Sequence, residues 1–323
     1  MTHIPDSLVY YPDSRPGISR KRQGRGFSYL GPDGTRIDRG AERARIEALA
    51  VPPAYEDVWI CPTPKGHLQA TGRDTRERKQ YRYHPDWTAY RAARKYENLA
   101  EFGHALPRVR RRVADGLNGE AGEHDFALAA IVAMIDRLSI RVGTAQYAEE
   151  NGTYGATTLK RRHMQLKDHG LRLRYAGKGG KPVVRTVSNA KLQKALHRLH
   201  DLPGADLVTW TDENGRTRTV SSHEVNEWIA DATGLDGATA KTFRTWNGSV
   251  AALVAAAAAE TVTIKAMAEA AAERLANTPT IARNSYIHPK VIALAEDISK
   301  LPEEGPEIAG LRRDERRLLK LIG

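Results

Sequence analysis

The chain has 323 residues, of which 50 are lysine or arginine and 39 are aspartate or glutamate, giving a formal net charge of +11. This surplus favours a polyanionic partner, nucleic acid before an anionic membrane surface, and the length allows two domains. Because Cys61 is the only cysteine, an intrachain disulfide and a zinc site made of several thiolates are excluded.

Two patterns bear on cellular location. No apolar run approaches the ~20 residues that a membrane span needs. The first residues, M-T-H-I-P-D-S, lack the charged and then apolar pattern of a signal peptide. We therefore expect a soluble protein of the reducing cytoplasm.

Residues 1–88 have the composition of a small antiparallel β domain. They are rich in glycine and proline, and turn signals such as P-D-G (32–34) and P-K-G (64–66) separate short segments with strand character. The predicted strands are residues 26–30, 57–62, 67–72 and 79–84.

Residues 89–323 are mainly helical in pattern. One helix is predicted at 87–99 and another at 126–142, where apolar residues recur at helical spacing and form one buried stripe that Arg141 flanks. A hairpin is predicted next, with alternating residues 171–176, a glycine-rich turn at 177–181 and a second strand after it. Helices follow at 190–200 and in an alanine-rich stretch at 250–276, and the charged tail 302–323 is interpreted as a short solvated or docking helix.

Five side chains of this second region stand out. Arg141 emerges beside the apolar stripe, Lys178 is enclosed by glycines at the hairpin tip, and Lys241 and Arg244 are spaced to share a helix face. Tyr286 precedes a proline and lies among polar neighbours, which suits either a partly exposed ring or a hydroxyl that a substrate reaches. Composition and periodicity do not by themselves join these residues into one site.

The order of five sequence blocks carries a resemblance to a known family. The blocks are R-V-G (141–143), N-G-T-Y-G-A-T-T-L (151–159), G-K-G-G-K (177–181), K-T-F-R-T-W (241–246) and N-T-P-T-I-A-R-N-S-Y (277–286). Together they resemble the type IB DNA topoisomerases, in particular the poxvirus-like and bacterial branch. The segment 72–84 also resembles that family's DNA-clamping domain, so the resemblance extends from about Asp57 to Pro289.

The resemblance implies a role for each catalytic residue. It makes Tyr286 the nucleophile, makes Arg141 and Arg244 the two arginines that bind the scissile phosphate, and makes Lys178 the general acid for the leaving 5′ oxygen. Lys241 matches a basic residue beside the second arginine. In addition, Asn277 stands where the viral and nuclear enzymes usually have histidine, so we expect it to donate a hydrogen bond but to transfer no proton.

The same resemblance implies the fold, the reaction and the partner. It predicts an α+β protein of the tyrosine recombinase and type IB topoisomerase class, with a small N-terminal antiparallel sheet domain (1–88) and a larger, mainly helical catalytic domain (89–323) that contains a small β-hairpin or sheet. A monomer would clamp duplex DNA and relax supercoils through a 3′-phosphotyrosyl intermediate. It would need neither Mg²⁺ nor ATP, bind no metal, and associate with the bacterial nucleoid.

The N-terminal domain offers a set of candidate DNA contacts in the segment 72–84. Cations there can meet phosphates, and the interleaved glutamine and tyrosines can touch bases or sugars. The predicted contacts are Arg73, Arg76, Arg78, Lys79, Gln80, Tyr81 and Tyr83. Without the catalytic blocks, the same segment would be interpreted as a charged turn before an edge strand. The run R-V-R-R-R (108–112) fits either DNA contact or a solvated helix face.

Two other classes compete with this interpretation. A tyrosine recombinase shares the arginine pair, the lysine on a β-turn and the tyrosine, but usually has histidine where this chain has Lys241, and it needs a segment after the tyrosine that exchanges between protomers. A non-catalytic basic DNA-binding protein would require Tyr286, Lys178 and both arginines to be incidental.

Overall fold

The computed structural model describes residues 4–75, 77–167 and 170–323. The chain forms two compact units, Met1–Glu97 and Asn98–Gly323. The predicted boundary lies at residue 88, inside the helix Pro85–Glu97 that the structure assigns to the first unit. Arg76 lies outside the described residues.

The first unit is built on a five-stranded antiparallel sheet. Its elements are β1 (Ile18–Gln23), β2 (Gly26–Leu30), α1 (Ala41–Ala48), β3 (Glu56–Ile60), β4 (Leu68–Arg73), β5 (Lys79–Tyr83) and α2 (Pro85–Glu97). The strand order is β2-β1-β3-β4-β5, so β2 and β5 are the edges. Apolar residues of the strands and α1 form the core: Ile18, Tyr29, Ile46, Val58, Ile60 and Ala70. The predicted N-terminal antiparallel sheet is confirmed.

Sequence patterns missed β1 and α1. The strand β1 reads I-S-R-K-R-Q and has one apolar residue, so it lacks the alternation that predicts a strand. Its inward-facing position is instead taken by Arg20, which donates hydrogen bonds to the carbonyls of Val51, Pro52 and Tyr55.

The second unit is mainly helical with a small sheet. Its elements are α3 (Leu99–Gly116), α4 (His124–Leu138), α5 (Ala145–Asn151), β6 (Met164–Lys167), β7 (Gly170–Ala176), β8 (Pro182–Val187), α6 (Ala190–His200), β9 (Trp210–Thr211), β10 (Thr217–Arg218), α7 (Ser222–Thr233), α8 (Ala240–Ala258), α9 (Ile264–Leu275), α10 (Pro279–Tyr286), α11 (Pro289–Ile292) and α12 (Arg313–Ile322). The strands β6, β7 and β8 form an antiparallel sheet in that order, which contains the predicted hairpin.

The central helix α4 differs from its prediction in two ways. It is buried on nearly all sides, from Phe126 to Leu138, because helices pack around it rather than against one stripe. It also ends at Leu138, where Ser139 adopts a left-handed conformation with φ 55°. Arg141 therefore lies in the loop after the helix and not on its flank.

The alanine-rich stretch forms two helices rather than one. The helix α8 ends at Ala258, and α9 begins at Ile264 after Thr263, whose side chain accepts a hydrogen bond from the amide of Ala266. The β-branched run T-V-T at 261–263 favours this break, since such residues and an N-capping threonine suit a helix start better than a helix interior.

A buried charge cluster fixes the C-terminal helix to the rest of the unit. Arg110 of α3 contacts Asp136 of α4 at 2.9 Å and Glu315 of α12 at 2.6 Å. Trp246 of α8 donates to Glu315, and Leu318 of α12 is fully buried. The tail is therefore a docking helix and not a solvated one.

The arginines of the run 108–112 mostly bind protein groups. Besides the buried Arg110, Arg108 donates to the carbonyl of Ala232 at 2.8 Å, and Arg112 pairs with Asp231 at 2.5 Å. Arg110 is therefore a structural residue, whereas Arg108, Arg111 and Arg112 remain exposed on the helix surface.

Candidate active site

A basic cleft lies in the second unit where the end of α4, the β7–β8 hairpin, α8 and the end of α9 meet. No carboxylate occurs among the described residues that line it. Its charged and phenolic lining consists of Arg141, Tyr154, Tyr175, Lys178, Lys181, Arg185 and Arg244. A cleft with this lining suits an anionic ligand such as a phosphodiester.

Two glycines position Arg141 at the cleft. The backbone of Gly143, with φ 90°, packs against Gly155, and a Cβ on Gly155 would lie 2.6 Å from the carbonyl oxygen of Arg141. That carbonyl accepts a hydrogen bond from the amide of Ala156 at 2.8 Å. The blocks R-V-G and T-Y-G-A are therefore one structural unit, since any larger residue at either glycine would push the loop of Arg141 away.

Arg244 is held by the ends of two other helices. The residue is only 3% exposed, and its guanidinium donates to the carbonyl of Ser139 after α4 and to the carbonyl of Leu275 at the end of α9. Burial, with the nearby charge of Arg141, lowers the pKa of Arg244 to about 10, which leaves it charged at neutral pH. Its buried Nε has no hydrogen-bond partner within the described chain.

Tyr286, the last residue of α10, lies directly against this arginine. The Arg244 guanidinium is 5.2 Å from the centre of the Tyr286 ring. Burial alone would raise the pKa of Tyr286, but the charges of Arg244 and Arg141 and their hydrogen bonds to the phenol hold the pKa below its ordinary value. Tyr286 is only 6% exposed, which excludes the alternative of a partly exposed ring.

The backbone of Tyr286 is also closely packed. Gly248 of α8 lies against it, and a Cβ there would meet the carbonyl oxygen of Tyr286 at 2.7 Å. Ser249 bonds to the same carbonyl and accepts a hydrogen bond from the amide of His288. The helix that carries Arg244 thus also fixes the end of the helix that carries Tyr286.

Lys178 is exposed at the tip of the β7–β8 hairpin and lines the cleft. The turn closes through a hydrogen bond from the amide of Gly177 to the carbonyl of Lys181, and Gly179 has φ 73°, a conformation that glycine adopts without strain. Lys181 lines the same cleft. Two lysines can therefore reach a ligand bound beside Arg141 and Arg244.

The remaining two predicted catalytic residues occupy different surroundings. Asn277 follows the left-handed Ala276, which lines the cleft, and its buried Nδ2 has no hydrogen-bond partner in the described part of the structure. An amide left in this state is a donor that a ligand oxygen could satisfy. Lys241 is exposed in the first turn of α8 and does not line the cleft, whereas Arg244 is buried.

Sequence reasoning missed Tyr175 and Arg185, which also line the cleft. Arg185 donates to the carbonyls of Leu138 and Arg274 and so connects β8 to the ends of α4 and α9. Burial raises the pKa of Tyr175 to about 12. The alternation in L-R-L-R-Y-A already placed Tyr175 on the buried face with Leu173, a signal that could have identified it.

The predicted DNA contacts of the first unit lie on β5 and on the turn before it. Tyr81 and Tyr83 are exposed and stacked, with ring centres 6.0 Å apart. Lys79 pairs with Asp13 at 2.5 Å. Arg78 and Gln80 both bond to Asp74, and Arg73 lies 3.5 Å from Asp57 and donates to the carbonyl of Glu77. The edge strand therefore presents aromatic rings, whereas the predicted cations Arg73, Arg78 and Lys79 have carboxylate partners.

Within the described ranges, no cluster of three or more His, Cys, Asp or Glu side chains could hold a metal ion. None of the described helices combines the length and the apolarity that a bilayer span requires.

Two family models match this chain. Residues 26–74 match the N-terminal domain of bacterial DNA topoisomerase IB, and residues 84–304, more than half of the chain, match the catalytic core of eukaryotic DNA topoisomerase I. The chain belongs to the type IB DNA topoisomerases. The predicted family, enzyme class and fold class are confirmed.

Individual relatives of this type IB enzyme are distant in sequence. It is 27% identical over 238 residues to DNA topoisomerase 1B of Acanthamoeba polyphaga mimivirus. The alignment covers 72% of this chain and 70% of the viral protein. It is 23% identical over 256 residues to DNA topoisomerase I of Monkeypox virus, covering 75% and 76%. Against DNA topoisomerase 1 of Mycosarcoma maydis it is 25% identical over 174 residues, covering 48% of this chain and 17% of the fungal one. Membership implies a DNA topoisomerase whose partner is duplex DNA.

Proposed function

We propose that this enzyme relaxes supercoiled DNA by cutting one strand, holding its 3′ end on Tyr286, allowing the free end to rotate, and then resealing the strand. The observation that carries the proposal is the phenol of Tyr286, whose pKa is lowered by Arg244 and Arg141 beside a basic cleft. A lowered pKa makes the phenolate nucleophile available closer to neutral pH.

The chemistry is a transesterification with balanced bonds. The Tyr286 oxygen attacks phosphorus and loses its proton to solvent, and the bond from phosphorus to the 5′ oxygen breaks. Lys178 gives a proton to that oxygen, which is otherwise a poor leaving group. Resealing is the reverse reaction, in which the 5′ hydroxyl attacks the phosphotyrosine. Cleavage and resealing each exchange one phosphoester bond for another, so the backbone bond is restored without an external energy source.

Arg141, Arg244 and Asn277 would stabilise the transition state. Charge develops on the nonbridging phosphate oxygens, and planar guanidiniums suit these oxygens in geometry and charge. That of Arg244 is also held in place by the carbonyls of Ser139 and Leu275. The buried amide of Asn277 would donate a further hydrogen bond. With protein cations in these roles, we propose that the reaction needs neither ATP nor a metal ion.

We further propose that the enzyme is a cytoplasmic monomer. Its two units would together clamp duplex DNA. Tyr81 and Tyr83 of the edge strand β5 would contact bases or sugars, supported by Gln80. The cations Arg73, Arg76, Arg78 and Lys79 would contribute phosphate contacts. When DNA binds, a phosphate would replace the carboxylate partner of Arg73, Arg78 and Lys79.

The packing of the C-terminal helix favours this function over recombination. A recombinase exchanges a segment after the tyrosine between protomers. In this chain α12 follows Tyr286, but it buries Leu318 and Glu315 against α3 and α8 of its own chain. A segment held by the buried charges of Arg110 and Asp136 is poorly suited to exchange.

Incubation with supercoiled plasmid in EDTA without ATP tests the proposal. We expect the purified enzyme to yield a ladder of relaxed topoisomers. A requirement for ATP or a divalent cation would contradict the proposed mechanism, and recombinant products joining two sites would favour a recombinase. Binding without any change in linking number would favour a non-catalytic DNA-binding protein.

Asn277→Ala should slow single-turnover cleavage by about 10²–10³, the typical effect of removing one oxyanion donor. Affinity for duplex DNA should change little, because the cations remain. Asn277→His should keep much of the activity without adding an ionisation near neutral pH. A strong new pH dependence in the histidine variant would mean that this position takes part in proton transfer.

Arg141→Gln should raise the pKa of Tyr286, because one of the two charges that lower it is lost. The phenolate fraction at a given pH would then fall, and the rise of the cleavage rate with pH would shift to higher pH. Phenolate absorbance during a pH titration, taken as the difference from Tyr286→Phe, isolates this one tyrosine among the 12 in the chain. An unchanged titration would show that Arg141 does not act on the phenol.

A further inference from the structure

The β1–β2 hairpin of the first unit carries three exposed cations around its tip. They are Lys21, Arg22 and Arg25, and within the described residues no carboxylate lies within ion-pair distance of any of them. All three precede residue 26, where the match to the bacterial N-terminal domain begins.

These cations contrast with those of the β4–β5 turn. There, Arg73, Arg78 and Lys79 lie 3.5, 2.7 and 2.5 Å from the carboxylates of Asp57, Asp74 and Asp13, respectively. A phosphate must compete with those carboxylates, whereas the hairpin cations have no carboxylate partner among the described residues. The hairpin cations are therefore more readily available to a polyanion.

Contacts at the base of the β1–β2 hairpin fix its backbone and do not involve the side chains of Lys21, Arg22 and Arg25. Arg20, at its base, donates hydrogen bonds to the carbonyls of Val51 and Tyr55 at 2.9 and 2.6 Å, and its guanidinium lies 4.2 Å from the centre of the Phe27 ring. Arg20 is thus a structural residue, although it stands in the same basic run. A fixed hairpin loses little conformational entropy when its tip binds.

The register of the sheet places the two basic turns at the same end. Ser19 of β1 pairs with Trp59 of β3, Glu56 of β3 pairs with Arg73 of β4, and Arg73 pairs with Lys79 of β5. Because all these pairs are antiparallel, the β1–β2 tip and the β4–β5 turn both project beyond the level of Glu56. Three strand spacings of ~4.8 Å separate β1 from β5, about 15 Å in all.

We infer that the β1–β2 hairpin is a second phosphate contact, which binds the backbone of the same duplex that β5 contacts. A duplex carries one charge per ~1.7 Å of its axis, so a basic edge of this width can meet several phosphates. The inference rests on the proposed role of β5 in DNA binding, and it adds Lys21, Arg22 and Arg25 to the clamp.

The test compares two double variants with equal charge loss in the full-length chain. Lys21→Gln/Arg25→Gln removes two hairpin cations. Arg15→Gln/Lys65→Gln removes two exposed cations that lie outside the hairpin, in the segments before Ile18 and after its partner Ile60. Arg22 is kept because it pairs across the hairpin with Phe27. Both variants are made with Tyr286→Phe, so that binding is measured without cleavage.

The measurement is the affinity for a fixed DNA duplex as a function of salt concentration. Each lost phosphate contact should make the slope of log affinity against log salt shallower by ~0.9, so the hairpin variant should change by up to about 1.8. The control should keep the parent slope. Equal slopes for all three proteins, or equal changes in both variants, would overturn the inference.

The outcome is separate from that of the proposed function. If the parent enzyme with Tyr286 intact fails to relax plasmid, the catalytic proposal fails, but the salt slopes still report on the hairpin. If relaxation succeeds while the slopes are equal, only the hairpin contact fails. Circular dichroism of each variant confirms that a lost contact does not reflect a lost fold.

Discussion

Tyr286→Phe is expected to abolish plasmid relaxation while leaving duplex binding nearly unchanged. The substitution removes one hydroxyl and keeps the ring that packs beside Arg244, so neither the charge nor the shape of the cleft changes. Stalled parent enzyme should be recovered covalently attached to a 3′ DNA end, and the Phe variant should form no such adduct. Attachment to a 5′ end would indicate a different class of enzyme.

Tyr175 is a rival nucleophile, because its phenol lines the cleft whose Arg244 contacts Tyr286. Its pKa is raised to about 12 by burial, whereas that of Tyr286 is lowered, so Tyr175 is the poorer nucleophile at neutral pH. Tyr175→Phe should therefore still form the covalent adduct. If the adduct survives in Tyr286→Phe and is lost in Tyr175→Phe, the assignment of the nucleophile is wrong.

Lys178→Ala is expected to slow cleavage of ordinary DNA by about 10²–10⁴, the usual contribution of a general acid. The effect should largely disappear on a substrate whose bridging 5′ oxygen is replaced by sulfur, because a thiolate leaves without a proton. Arg141→Ala and Arg244→Ala should not recover in the same way, since charge on the nonbridging oxygens is unchanged by the sulfur. Single-turnover cleavage of both substrates measures the difference.

Lys181 is the control for this experiment, because it lines the same cleft three residues later. Rescue of Lys181→Ala by sulfur, without rescue of Lys178→Ala, would make Lys181 the general acid. Rescue of neither variant would place the proton donor elsewhere. The exposed Lys241 would then have to reach the cleft from the first turn of α8.

Local patterns predicted the elements whose residues match their environment. The strands at 26–30 and 79–84 and the hairpin around Gly177 alternate or carry turn residues, and the structure has them. One error arose at β1, where Arg20 occupies an inward-facing position that an apolar residue usually fills. Others arose where the boundary of a helix does not follow from the spacing of its apolar residues. Helical periodicity alone also missed the early end of α4 at Ser139 and the break between α8 and α9, although the run T-V-T and the N-capping Thr263 signal that break locally.

The site could be predicted as a set of residues but not as a geometry. Family resemblance proposed Arg141, Lys178 and Arg244, and the fold brings them to one cleft from the loop after α4, a hairpin and α8. No local signal predicted that the carbonyls of Ser139 and Leu275 would hold Arg244, because these groups are far apart in the chain. Such long-range backbone contacts exist only after folding.

The buried cluster of Arg110, Asp136 and Glu315 has a consequence for synthesis on the ribosome. Glu315 follows Arg110 by 205 residues, so translation passes Arg244 and Tyr286 before the cluster can close. Until then Arg110 has only one of its two buried carboxylate partners, Asp136, and α12 is not yet docked. A nascent chain that extends only to Tyr286 therefore holds its reactive groups before α12 joins α3 and α8, and we expect such a chain to nick DNA poorly until α12 has been made.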